Sequence, residues 1–294
     1  LVVLALLFKL LSLLPLALLR GVGSALGALA YAAAPKYRQR IRENLAQAGY
    51  DAEALGSRAA RAAGQQALEL PWVWHRDADA VRAVIEVVNP EVEQSALAQG
   101  GPVIYLTPHF GCFEMASHYC ALTHWRGARQ ITVMYRIPRQ PYVHEIVRAG
   151  RLKLGAQLAT ADLRGVRQLL RALKRNDAVG ILPDQVPAQG EGAWAPFFGR
   201  PAYTMTLPGK LAAASGAAVL FIVVERARRA DGRAGFRVHF APLTAPLTGD
   251  GARDAAQINT DLQRVIAIAP AQYLWSYNRY KRPAGAPPPP ASAP

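Results

Sequence analysis

The chain has 294 residues, 51% of them apolar and 18% charged, a balance that excludes a disordered polypeptide and allows one large core. Lysine and arginine number 34 against 20 aspartates and glutamates, and the surplus of +14 asks for a partner rich in negative charge. Nucleic acid qualifies, and so do phosphorylated lipid and an anionic membrane surface. Two cysteines, Cys112 and Cys120, make neither a disulfide framework nor a metal cluster.

Residues 1–34 carry two charges, Lys9 and Arg20, in a run of Leu, Val, Ala and Gly. The run is long enough to cross a bilayer, for which about 20 apolar residues suffice. Pro15 interrupts it, and Lys9, Ser12, Arg20 and Ser24 share one helical sector, so a helix lying in the interface or a kinked hairpin is the alternative to a span. A cleaved signal peptide competes, supported by Ala28-Leu29-Ala30. The bases Lys36, Arg38, Arg40 and Arg42 just downstream favour an uncleaved anchor with the following residues on the cytoplasmic side.

Residues 36–64 predict a helix with a basic face and an apolar one (Tyr37, Ile41, Leu45). Beyond residue 85 short β-rich runs alternate with amphipathic stretches. Strands are expected at Ile85–Val88, Val103–Thr107, Ile131–Tyr135, Val179–Pro183, Val219–Glu225 and Phe236–Ala241. Helices are expected at Phe113–Trp125, Pro141–Leu154, Leu163–Lys174, Thr206–Ser215 and Asp254–Ala269. This alternation predicts an α/β fold with a mixed, mostly parallel sheet flanked by helices. The expected division is a membrane anchor over 1–34, an α/β domain over 35–282, and a disordered Pro/Ala tail over 283–294.

Ligand sites of open α/β sheets lie where strands end. Two apolar runs stop at titratable groups, Val103–Leu106 at Thr107-Pro108-His109 and Val179–Leu182 at Pro183-Asp184-Gln185. After the first comes His109-Phe110-Gly111-Cys112-Phe113-Glu114. Gly111 permits a sharp turn, so that His109 lies in a loop and Glu114 opens a helix. In that arrangement the Glu114 carboxylate accepts the imidazole Nδ1–H. The free Nε2 then takes a proton from a substrate hydroxyl as its oxygen attacks an acyl carbonyl. The logic is that of a serine protease triad with the nucleophile supplied by the acceptor. A thiol nucleophile at Cys112 is the weaker reading, a small buried residue the better one.

A His and a Glu five apart carry little information alone, but here the surrounding residues resemble the lipid A biosynthesis late acyltransferases, a branch of the glycerolipid acyltransferase superfamily. His109, Gly111, Phe113 and Glu114 follow the family pattern of a strand and then His-x-Gly-x-x-Glu with an aromatic before the Glu. Further matches are Arg38 to Leu45, Tyr135-Arg136, Arg148 to Arg151, Leu182-Pro183-Asp184-Gln185, Pro196 to Gly199 and Trp275 to Pro283. The likeness runs to about Arg282. Cys112 stands where the family usually has a small polar residue, and Phe113 where it usually has Trp, both of which bear on the acceptor pocket.

The resemblance implies a glycerol-3-phosphate acyltransferase-like fold and an enzyme of the bacterial inner membrane facing the cytoplasm. It implies acyl carrier protein as donor, a hydroxyl of a phosphorylated lipid A precursor as acceptor, and no cofactor or metal. His109 and Glu114 become the catalytic candidates, and Arg136, Arg148, Arg151, Asp184 and Gln185 the candidates for substrate binding. Arg148 and Arg151 lie three apart and share a helix face suited to phosphate or to an acidic carrier protein. Asp184 is read as orienting an arginine or the acceptor sugar, or as capping its turn. His144 and Glu145 are expected to be exposed, and Ala193–Gly199 either walls the acyl groove or forms a core loop. Of the alternatives, another glycolipid or amino-acid lipid acceptor (a phosphatidylinositol mannoside, an ornithine lipid) keeps the chemistry. A membrane-tethered non-catalytic binding protein is opposed by the intact His109, Glu114 and Asp184. A nucleic-acid binder lacks a basic stripe interleaved with stacking aromatics. His118, His124 and His239 have no metal-like spacing.

Overall fold

The computed structural model describes residues 2–138 and 140–290. Four helices lead: α1 (Val2–Ser12), α2 (Leu16–Ala33), α3 (Pro35–Gln47) and α4 (Ala52–His75), with the short α5 (Ala78–Arg82) behind them. Then come β1 (Ile85–Val87), α6 (Pro90–Ala98), β2 (Val103–Leu106), α7 (Glu114–Leu122), β3 (Ile131–Tyr135), α8 (Pro141–Leu152), β4 (Gln157–Thr160), α9 (Leu163–Lys174) and β5 (Ala178–Ile181). The chain finishes with β6 (Gly192–Phe197), β7 (Arg200–Met205), α10 (Leu207–Ser215), β8 (Ala218–Arg228), β9 (Ala234–Pro242) and α11 (Gly251–Ile266).

Seven strands form one sheet in the order β1-β9-β8-β2-β5-β3-β4. The five from β8 to β4 run parallel, whereas β9 is antiparallel to β8 and β1 follows β9. The sheet is therefore mixed and mostly parallel, as expected. Its central strands are apolar at every position because both faces are covered. Ile104, Leu106, Val179 and Ile181 face a core shared with α9 and α11, while Val103, Tyr105 and Ala178 face one shared with α4 and α7. The hairpin β6–β7 lies outside the sheet; Asn259 of α11 donates to the Pro196 carbonyl (3.0 Å).

All six expected strands and five expected helices form, with ends shifted by a few residues. The expected helix over 36–64 is instead two, broken at Gly49 (φ +76°) and restarted by Asp51, whose carboxylate caps the Glu53 and Ala54 amides. α4 then runs on to His75 through Pro71. Strands β4, β6 and β7 and helices α5 and α6 were not foreseen: the runs are short and lack a clean period. The tail departs from expectation at its start. Ala286 is buried against Val186 and Tyr203, and Trp194 Nε1 donates to the Pro287 carbonyl (3.0 Å). Residues 291–294 of the expected tail lie outside the described residues.

α1 and α2 are separated at Pro15, as its missing N–H requires, and both pack on α4. α2 is long and apolar enough to cross a membrane (18 residues, mean hydropathy 1.5). One side of it is nevertheless committed to protein: Leu16, Leu19, Gly23 and Gly27 are buried. A Cβ on Gly27 or Gly64 would run into the backbone of the opposing helix, so these glycines set the closeness of the α2–α4 contact. The other side leaves Leu18, Val22, Leu26 and Leu29 exposed, and Leu6, Leu7, Leu10 and Leu13 of the preceding segment are exposed as well. Arg20, expected on a polar stripe, turns inward. Its guanidinium pairs with the fully buried Glu69 of α4 and stacks over Phe236. Arg226 of β8 binds the same carboxylate from the other side (2.7 Å).

Removing the Glu69 charge strands two guanidinium groups. Glu69→Gln is expected to cost about 3–5 kcal/mol, read as a fall in the midpoint of denaturant unfolding in detergent. An unchanged midpoint would show that these cations find other partners.

Candidate active site

β2 and β5 are neighbours in register, Leu106 opposite Ile181. Each is followed by a residue and a proline, then by a polar side chain, so His109 and Asp184 both stand three residues past that paired position. They meet there. His109 Nδ1 and Asp184 Oδ1 are 2.8 Å apart, and the His109 backbone N–H donates to Asp184 Oδ2 (2.8 Å). The orienting carboxylate is thus Asp184, where the sequence reading placed Glu114. An ionised carboxylate only accepts, so Nδ1 carries the proton and Nε2 is left as the acceptor. The amide of Gln185 donates to that Nε2 at 3.1 Å.

Burial opposes ionisation of Asp184. The imidazole beside it and the hydrogen bonds from the His109 Nδ1 and backbone N–H outweigh it, holding the carboxyl below its ordinary range.

The turn after His109 explains why Glu114 goes elsewhere. Gly111 adopts φ +53°, and a Cβ there would collide with the Val224 carbonyl of β8. The loop is stitched on both sides. Gly111 N donates to Gln272 O (2.9 Å), Cys112 N to Val224 O (2.9 Å), and Leu274 N to His109 O (3.0 Å). Arg226 reaches up from Glu69 to the Gly111 carbonyl (2.7 Å). Having reversed, the chain enters α7 with Glu114 at its first position, as expected, where the helix dipole favours a carboxylate. Glu114 then points between α4 and α8. Trp74 Nε1 donates to Oε2 (3.2 Å), Arg151 Nε donates to the same oxygen (2.9 Å), and Arg151 Nη2 donates to Oε1. Burial works against the Glu114 charge, but Arg151 overcomes it and the carboxyl sits low; the same pairing raises Arg151.

A cleft of about 350 Å³ opens over these groups, lined among others by His109, Phe113, Tyr135, Arg136, Arg151 and Gln185. Arg136 is exposed at its mouth. Of the expected set, His109, Arg136, Arg151 and Gln185 line this cleft, and Asp184 and Glu114 sit behind it. Arg148 does not join them: it is exposed and lines no part of the cleft. The helix turns Arg151 toward Glu114 and leaves Arg148 outward. His144, expected to be exposed, is half-buried, with its Nε2 2.9 Å from the Tyr135 hydroxyl. The expected acyl wall at Ala193–Gly199 belongs to the β6–β7 hairpin; Phe197 is buried in the core, and none of these residues lines the cleft. Cys112 is fully buried and burial pushes its thiol well above the ordinary value, as suits a packing residue.

Trp74, Tyr135 and Gln272 escaped the sequence reading as functional residues. Trp74 supports Glu114 from another helix, and only the tertiary fold brings it there. Asp184 was noticed, and its equal offset from the end of a neighbouring parallel strand was the signal for its partnership with His109.

A histidine held by a buried carboxylate at the carboxyl edge of a mostly parallel sheet, its other nitrogen facing a cleft beside a fixed arginine, is an arrangement able to take a proton from a hydroxyl or water, as an enzyme of the general-base class requires. Residues 1–282 match the family described as bacterial lipid A biosynthesis acyltransferase, and the chain belongs to that family. It is similar to the lipid A biosynthesis palmitoleoyltransferase of Escherichia coli (strain K12), 26% identical over 280 residues, covering 92% of this chain and 88% of the relative. The lipid A biosynthesis lauroyltransferase of the same organism is 27% identical over 76% of this chain and 71% of its own length. A lipid A biosynthesis acyltransferase of Haemophilus influenzae is 26% identical over 65% and 57%.

His118, next to the Glu114–Arg151 pair, supplies a test of the site's pH response. It is fully buried with neither ring nitrogen hydrogen-bonded among the described residues, and burial lowers it from 6.5 to about 4. The unfolded chain takes up that proton near pH 6.5 and the folded one only near pH 4. Stability therefore falls as pH drops through this window, by about 1.4 kcal/mol per unit for one proton. His118→Leu is expected to fold, because no hydrogen bond is lost, and to show a shallower loss of unfolding midpoint between pH 6.5 and 4.5. An acid slope equal to that of the wild type would refute the assignment.

Proposed function

We propose that this acyltransferase moves a fatty acyl group from an acyl carrier protein thioester to a hydroxyl of a lipid A precursor at the cytoplasmic face of the inner membrane. The observation that carries the reading is the His109 ring: Asp184 fixes its tautomer, and its unprotonated Nε2 faces the cleft. The acceptor hydroxyl takes the position now held by the Gln185 amide. As its oxygen attacks the thioester carbonyl, its proton passes to Nε2. When the tetrahedral intermediate collapses, the C–S bond breaks and the imidazolium returns the proton to the departing sulfur.

Arg151 lines the same cleft with Nε and Nη2 bound to Glu114. It supplies a fixed positive charge for the developing oxyanion, which a preorganised donor stabilises. Glu114 is in this reading essential through Arg151, and the expected His109/Glu114 dyad becomes two pairs side by side. Arg136 at the mouth suits a phosphate of the acceptor. The sheet order and the strand-end site suit a glycerol-3-phosphate acyltransferase-like fold. Names of the relatives support the lipid A acceptor. The apolar face of α1–α2 supports membrane association, with residues 1–34 as the anchor and 35–282 as the catalytic domain.

Acyl transfer by the detergent-purified protein, read by mass spectrometry with carrier-protein donors and a lipid A precursor, tests the whole reading. His109→Ala and Asp184→Asn are each expected to lower turnover about a hundred- to ten-thousand-fold. Arg136→Ala should raise KM for the acceptor with kcat little changed. If Asp184→Asn keeps most of the activity while Glu114→Gln abolishes it, the orienting role returns to Glu114. Transfer only to a different glycolipid would keep the chemistry and replace the acceptor.

A further inference from the structure

A second concavity, about 890 Å³, opens between α2, α4 and the turn joining β8 to β9, and shares no lining residue with the His109 cleft. Its lining is cationic. Arg20 and Arg226, both bound to Glu69, belong to it, and Arg58, Arg61, Arg228 and Arg233 are exposed along it. Arg229 is paired with Asp231 at 3.3 Å. Among the described residues no aspartate or glutamate lines the groove. Two arginines and a single carboxylate leave the Glu69 cluster with a net positive charge, and the buried Nη1 of Arg226 has no partner among the described residues. Among the described residues Arg61 reaches only Ser24 Oγ (3.4 Å) and Arg228 only the Gly232 carbonyl (3.0 Å), which leaves most of their guanidinium donors without a partner there.

Such convergence of forked donors without a counterion matches a phosphate. The wall of the groove says where that phosphate comes from. It is α2 itself, through Pro15, Ala17, Gly21 and Ser24, and the same helix exposes Leu18, Val22 and Leu26. We propose that the groove binds the phosphate-bearing headgroup of an anionic phospholipid drawn from the bilayer on which the leucine face rests. This rests on the reading of α1–α2 as the membrane-facing segment. On that reading the groove borders the bilayer surface, where the phosphates of a lipid lie. A headgroup enters from the bilayer side, its acyl chains continuing along the apolar face of α2.

The test uses the full chain in detergent, so that a groove without a lipid and a helix pair without a bilayer give different results. Phosphatidylglycerol and phosphatidylcholine are offered in equal amounts and retained lipid is counted by native mass spectrometry. The wild type is expected to retain phosphatidylglycerol at least tenfold over phosphatidylcholine. The triple variant Arg58→Ala, Arg61→Ala, Arg233→Ala should fall to near parity. Its changes are on exposed side chains, and an unchanged unfolding midpoint confirms the fold. Arg136→Ala, one charge removed outside the groove, should keep the preference. No preference in the wild type, or full preference in the folded triple variant, overturns the proposal. So does a triple variant that keeps the lipid preference but binds acyl carrier protein, or the lipid A precursor, at least tenfold more weakly; the groove would then serve that partner.

Discussion

A single carboxylate joins the parts of this protein. Glu69 lies in α4 with no exposure, and it receives Arg20 from the apolar helix α2 and Arg226 from the central sheet. Burying three charges carries a large desolvation penalty, which close pairing and further hydrogen bonds must offset. Arg20 spreads its remaining donors over the carbonyls of Ala227 and Gly235, and Arg226 gives one to Gly111. The outcome is a continuous polar path from the apolar helix α2, through the sheet, to the loop that carries His109. Neither the helix pair nor that loop can shift without disturbing a buried ion pair.

The site repeats the device on a smaller scale. Two buried carboxylates stand near the same cleft, and each is committed to its own donor, Asp184 to the His109 imidazole and Glu114 to the Arg151 guanidinium. Both are held ionised against the cost of burial by those partners. The division has chemical sense. A histidine that is to accept a proton needs a partner that fixes its tautomer, and an arginine that is to meet a developing negative charge needs one that fixes its position without quenching it. Trp74, on α4, adds a third donor to Glu114 and so ties the arginine to the same helix that holds Glu69.

These features share one edge of the sheet. β8, β2, β5, β3 and β4 are parallel, so their carboxyl ends lie together, and the cleft and the basic groove both open there. Helix α2, which lines the groove, also exposes Leu18, Val22, Leu26 and Leu29. For an enzyme whose proposed acceptor has phosphates, a sugar hydroxyl and acyl chains, the arrangement sets a cationic surface and a general base beside an apolar one.

Composition and pattern were enough to determine the α/β class, the six main strands, the apolar N-terminal run with its break at Pro15, and the two strand ends that meet at the candidate site. Such features follow from local rules: apolar runs for strands covered on both faces, a missing N–H at proline, a polar residue where an apolar run stops. Sequence also placed Glu114 at the start of its helix and Gly111 at the turn. Only the tertiary structure decided who partners whom. His109 lies five residues from Glu114 and 75 from Asp184, yet the register of β2 on β5 brings the distant carboxylate to its ring, and the turn at Gly111 carries the near one away. Arg20 was misplaced for the same reason. A helical wheel shows which residues share a face, but what that face meets depends on elements far along the chain, and charge pairing in a buried site is settled by those long-range contacts.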